Sequence, residues 1–174
     1  MELTTAIIIA ASHEIQAIAV PLLQRYAPET SVRVPAHITI LFPFVPIERL
    51  GEASKKLRDI CAPIAPFDIT MQGYDSFPGV AFMNPANPAP IQAVFRKIYA
   101  GFPECPPYGG QFGHDLHPHM TVGEFASDAE RQAAVLPDYA PITFRAERLH
   151  LIYGPIDRAL PWITYDVIPL GGNI

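Results

Sequence analysis

The chain has 174 residues, a formal charge of −5 and a pI near 5.6, with 49% hydrophobic and 17% charged residues. Such a composition belongs to a folded protein rather than a disordered one, and the acidic balance lacks the basic footprint that grips long nucleic acid through its phosphates. No run reaches the roughly 18 apolar residues that a membrane helix needs. No basic segment precedes the first apolar run, so no signal peptide is read and the cytoplasm is the expected compartment.

"TTAIIIAA" (4–11) reads as a buried strand. Ser12 is placed to cap a helix running to about Ala27, although Pro21 falls in its middle, where proline breaks or kinks a helix. "HITILFPF" (37–44) reads as a second strand. In the segment after it, Ile47, Leu50, Leu57 and Ile60 recur at helical spacing. Strands at 67–77 and 80–85 flank a tight Pro78-Gly79 turn, and a helix at 89–102 ends at Gly101 and Pro103.

The Pro- and Gly-rich stretch 103–118 is too long for a minimal connection and is expected to line something. A strand with "HMTV" follows, then a short helix from Ser127 with Glu130 completing a capping box. Strands at 142–155 and 162–170 close the chain. Helices and strands thus alternate in two halves, an α/β pattern with a weak internal repeat. Cys61 and Cys105, without a secretory signal, read as reduced structural thiols.

Chemistry enters with the repetition. His37-Ile38-Thr39-Ile40 and His119-Met120-Thr121-Val122 share a His-apolar-Thr-apolar pattern, each close behind a proline. Strand alternation puts the histidine and threonine of each copy on one face, about 6.6 Å apart, and the apolar pair on the other. A lone histidine in such a strand is more often a satisfied core or edge residue than a catalyst. Two matching copies facing each other across a cleft bring two imidazoles and two hydroxyls around one tetrahedral group, and a phosphate suits that set. Histidine titrates near neutrality, so one copy acts as base and its twin as acid, while the threonines donate to the non-bridging oxygens.

These motifs, the order of elements and the closing "LHLIYGP…YDVIPL" resemble the two-histidine (2H) phosphoesterase superfamily, which includes proteins called 2'-5' RNA ligases and cyclic nucleotide phosphodiesterases. The resemblance spans essentially the whole chain. It implies an α+β fold with two antiparallel-type sheets around a central cleft, helices on the outer faces and pseudo-twofold symmetry, with residues 1–174 forming one domain of two lobes. It further implies hydrolysis of a 2',3'-cyclic phosphodiester, with His37, Thr39, His119 and Thr121 catalytic and no metal or cofactor. The expected partner is a nucleotide or an RNA-end phosphodiester, with no long nucleic acid, no membrane and a monomeric chain. Phe82, His150 and Tyr153 are the substrate-contact candidates, and Trp162 is a further aromatic that could stack a base.

The chain departs from the family in one respect. Several RNA-processing members carry an arginine just after one motif, where this chain has "LFPF" and "GEF" with Glu124; Arg33, Arg145 and Arg148 are the substitutes considered. Competing readings are a zinc site at His114, His117 and His119, a phosphate-cradling "YGGQFG" loop, and a nucleotide sensor without turnover. The zinc reading leaves the matching motif at His37 unexplained, and no strand and helix flank the glycines as in a P-loop.

Overall fold

A computed structural model of the chain describes residues 1–171. In chain order the elements are β1 (Leu3–Ala10), α1 (His13–Tyr26), α2 (Pro28–Arg33), β2 (His37–Leu41), α3 (Leu50–Cys61), β3 (Phe67–Phe77), β4 (Val80–Pro85), α4 (Ala89–Gly101), β5 (Met120–Glu124), α5 (Asp128–Ala133), β6 (Ile142–Ala146), β7 (Arg148–Pro155) and β8 (Ile163–Pro169). Short 3-10 turns occupy Ile47–Arg49 and Pro107–Gly110.

The strands form two four-stranded sheets, ordered β2-β1-β7-β8 and β5-β4-β3-β6, with every neighbouring pair antiparallel. Each His-Thr strand is the edge of its own sheet. The helices cross over: α1 follows β1 of the first sheet but packs on β5 of the second, whereas α4 follows β4 of the second and packs on β2 of the first. This exchange ties the two edge strands together, and β2 packs against β5.

Apolar periodicity explains the helices. α3 buries Leu50, Ala53, Leu57 and Cys61, and α4 buries Ile91, Val94, Phe95 and Ile98, one stripe each. At roughly 1.5–3 kcal/mol for each large side chain withdrawn from water, the stripes outweigh weak local propensities. Pro21 stays inside α1. It and Ala17, whose carbonyl would have accepted the missing N–H, both lie on the exposed face, so the lost helical bond falls on the solvent side. The sequence reading does not include α2; Pro28 stands in its first turn, where a proline costs no hydrogen bond. At α5 the Ser127 hydroxyl accepts from the Glu130 N–H at 3.2 Å, and the Glu130 carboxylate accepts from the Ala126 N–H at 3.2 Å.

The run 142–155, which reads in the sequence as one strand, is two. Ile142, Phe144 and Ala146 are buried in β6, then Leu149 and Leu151 in β7, so the buried parity switches at Glu147 and the chain passes from the second sheet to the first. The two sequence halves therefore do not map onto the two sheets. The first sheet gathers strands from both ends of the chain, and the second takes the middle. Cys61 and Cys105 are free and buried, and burial pushes the Cys61 thiol up to about 11. Among the described residues no helix is long and apolar enough to cross a membrane.

Candidate functional site

His37 is the first residue of β2, and His119 immediately precedes β5. Both rings are held in the same way. His37 Nδ1–H donates to the Pro35 carbonyl at 2.7 Å, and His119 Nδ1–H donates to the His117 carbonyl at 2.8 Å, in each case two residues back. A carbonyl only accepts, so Nδ1 carries the proton in both rings and Nε2 is left as the basic nitrogen.

Burial pushes the His37 imidazole below its ordinary value; the Pro35 carbonyl counters this, and the charge of His119 lowers it further. His119 is also lowered by burial, with the His117 carbonyl opposing and the His117 ring adding to the shift. The two imidazoles therefore lie within electrostatic reach of each other. The threonines are half-buried on their strands, as are both histidines.

The surroundings of the two rings differ. His119 stands in an aromatic cage, its ring centroid 5.1 Å from that of Phe77 and 5.3 Å from that of Phe82. His37 and Thr39 line a pocket of about 210 Å³ walled by Ala6, Ile8, Val34, Phe42, Ile152 and Trp162, with Thr30 and Arg33 at its border. A larger cavity of about 470 Å³, lined by Ser12, His13, Arg145, Arg148 and His150 among others, touches neither His-Thr pair. The smaller pocket holds the His37-Thr39 pair, and His119 and Thr121 line neither cavity.

The three substrate-contact candidates lie in different surroundings. Phe82 is fully buried and is opposite Thr121 in the ladder, beneath the His119 ring, so it has no free face for a base. Tyr153 pairs with Thr5 and packs into the main core on the far side of the sheet, away from His37. His150 pairs with Ile8, which also pairs with Thr39, so it shares their sheet face two strands away and lines the larger cavity. Burial lowers its pKa, and the Arg148 charge adds to that.

Trp162 and Phe42 are the aromatics in the His37 pocket, their centroids 6.2 Å apart. The indole N–H donates to the Pro155 carbonyl at 3.2 Å, and the ring covers Gly154, where a Cβ would collide with it. Phe42 is not a candidate from the sequence, where it falls inside a strand read as 37–44; in the structure β2 ends at Leu41, one residue before it.

Of the arginines, Arg33 lines the His37 pocket, its guanidinium turned toward the Arg158 and Ile156 carbonyls at 3.3 and 3.5 Å and toward Glu29 at 3.6 Å. Arg145 and Arg148 line the larger cavity. Glu124 accepts from the Thr30 hydroxyl at 3.1 and 3.2 Å. The His114 ring is bonded to the Tyr99 hydroxyl at 3.0 Å and stacked on its ring, which draws it to α4 and away from His119. Among the described residues no group of three or more His, Cys, Asp or Glu could hold a metal.

From the stretch 103–118, Tyr108 packs behind Phe42, a wall of the His37 pocket. Its N–H donates to the Phe42 carbonyl at 2.6 Å, and its ring meets Phe42 edge-on at 6.3 Å. Its only mark in the sequence is weak, an aromatic inside a Pro- and Gly-rich segment.

The profile described as the 2'-5' RNA ligase superfamily matches residues 9–155. Among solved structures, TT0787 of Thermus thermophilus is 18% identical with a TM-score of 0.68, covering 98% of this chain and 100% of its own. E. coli LigT complexed with 3'-AMP is 16% identical with a TM-score of 0.66, over 98% and 99%. LigT complexed with phosphate is 14% identical with a TM-score of 0.64, over 96% of each chain. No curated protein sequence matches.

Proposed function

Because the chain belongs to the 2'-5' RNA ligase superfamily, we propose that it is a phosphoesterase that opens a 2',3'-cyclic phosphodiester, on a nucleotide or an RNA end, by paired-histidine catalysis without a metal. The observation that carries this reading is the matched anchoring of His37 and His119 through Nδ1, which leaves both Nε2 atoms free for proton transfer. One neutral Nε2 removes a proton from water as its oxygen bonds to phosphorus. The other, protonated, gives its proton to the ribose oxygen as that P–O bond breaks, and a phosphomonoester results. Thr39 and Thr121 donate to the non-bridging oxygens, whose charge grows in the transition state.

Burial favours the neutral form of both rings in the free protein. An incoming phosphodiester anion restores the protonated form of one of them, so substrate binding itself prepares the acid. Phe42 and Trp162 offer an apolar wall to a base beside the phosphate, and the net charge of −5 favours a small nucleotide or a chain end over a long polyanion. LigT has been crystallised with 3'-AMP, ATP and phosphate, each of which presents a phosphate group. In this reading residues 1–174 work as one domain of two lobes.

The test is incubation with 2',3'-cyclic AMP in EDTA. Conversion to a monophosphate is expected. Tight binding without product would favour a nucleotide sensor.

A further inference from the structure

The larger cavity meets the His37 pocket on β1. His37 lines the smaller pocket and its ladder partner Ala10 lines the larger, while Thr39 pairs with Ile8 and Ile8 with His150. Continuing the β1–β7 register by two residues sets Arg148, the first residue of β7, beside Ala10 on the side away from His37. Strand alternation therefore gives His37, Ala10 and Arg148 one face, with two strand spacings, about 10 Å, between the outer two backbones. Between them Ala10 places only a methyl group.

The polar groups of the larger cavity are not equally committed. Arg145 donates to the Asp68 carboxylate at 3.1 Å and to the Pro66 carbonyl at 3.4 Å. Arg148 makes no hydrogen bond among the described residues, and its ion pair with Glu147, at 3.5 Å, joins two exposed side chains and is weak in water. The half-buried His150 ring also has no hydrogen bond among the described residues, and the Ser12 hydroxyl is buried without a partner. All three groups donate, and the guanidinium does so in a fork that matches two phosphate oxygens. Glu147 lines the cavity too, so a phosphate there competes with it for Arg148.

We infer that this cavity is the subsite for a second phosphate of the substrate, carried on the 5' oxygen of the nucleotide whose cyclic phosphate is opened, with Arg148 as its main ligand and Ser12 and His150 as further donors. The subsite rests on the proposed function and narrows its substrate class. In a 2',3'-cyclic phosphodiester both secondary ribose oxygens are already esterified to one phosphorus, so any other phosphate on that nucleotide is carried at 5'. With the base against Phe42 and Trp162 and the cyclic phosphate at His37, the 5' side runs across Ala10 toward Arg148. That phosphate is either the linkage to the preceding residue of an RNA end or the terminal group of a mononucleotide.

The test compares kcat/KM in EDTA on 2',3'-cyclic AMP, on its 5'-phosphorylated form and on the adenosine dinucleotide that ends in a 2',3'-cyclic phosphate. Wild-type protein is expected to favour at least one of the two 5'-substituted substrates over 2',3'-cyclic AMP by about 5-fold or more, chiefly through KM. In Arg148→Gln and Arg148→Ala that ratio should fall to about 1, whereas Ser12→Ala should lower it about 2-fold and Glu147→Gln, which frees Arg148, should raise it about 2-fold. A gain on the dinucleotide alone assigns the subsite to an RNA linkage, a gain on the 5'-phosphorylated mononucleotide alone to a terminal phosphate, and a gain on both to either form. A wild-type ratio near 1, or a ratio kept in both Arg148 variants, overturns the subsite, while turnover of 2',3'-cyclic AMP leaves the proposed function standing. If neither Arg148 variant folds, an unchanged ratio in Ser12→Ala and Glu147→Gln overturns it. No turnover of any of these substrates removes the proposed function and the subsite with it.

Discussion

At β2 the imidazole is anchored to the Pro35 carbonyl and opens into an apolar pocket with Trp162 and Phe42. At β5 the imidazole is anchored to the His117 carbonyl in the same manner, but Phe77 and Phe82 enclose it. The backbone repeats a device, and the side chains around it do not. In the proposed reaction, equal anchoring leaves each ring able to move a proton through Nε2, and unequal surroundings suit the two rings to different roles.

The largest expected effect tests what the two sides share. His37→Ala and His119→Ala should each lose roughly 10²-fold or more in kcat/KM, and the double variant should lose far less than the product, because an acid and a base working on one phosphorus act as a unit. Multiplicative losses measured on purified, folded variants would show two independent sites.

Next come the threonines, which sharpen the contrast. Thr39→Val and Thr121→Val should each lose about 10-fold, since one donor disappears while proton transfer remains. Smaller again, Trp162→Ala should weaken binding of 2'-AMP or 3'-AMP about 5-fold and leave inorganic phosphate binding unchanged, as expected of a base wall on the β2 side alone. Equal losses for nucleotide and phosphate, by calorimetry, would count against that wall.

The smallest effect is on stability. Because burial lowers the His37 pKa in the folded chain, the unfolded chain binds more protons between the folded value and about 6.5. Stability is therefore full above about pH 6.5 and is lost as pH falls through the folded value. His37→Asn should flatten that part of the Tm-against-pH curve, and an unchanged slope would place the titrating group elsewhere.

What could be read beforehand follows from how local each determinant is. The His-Thr pairs, the α3 and α4 stripes and the capping box at Ser127 and Glu130 need only nearby residues, so the sequence displays them. The break at Glu147 is also present in the sequence, as a switch of buried parity between Ala146 and Leu149, but both strands are apolar enough to read as one. Phe82 and Tyr153 are ordinary strand aromatics; the register puts Phe82 on the Thr121 face, where it is fully buried, and Tyr153 beside Thr5 on the face turned to the main core. Tyr108 could not be placed from spacing, because it reaches Phe42 through a loop held by a backbone bond to the Phe42 carbonyl.

The central claim, that two half-buried imidazoles divide acid and base between them, is tested most directly by kcat/KM against pH on 2',3'-cyclic AMP in EDTA. The account predicts a bell with its maximum at or below about pH 6.5, since burial lowers both groups, and loss of one limb in the residual activity of His37→Ala and of the opposite limb in that of His119→Ala. A profile flat across this range, or His37→Ala with full activity, would contradict it.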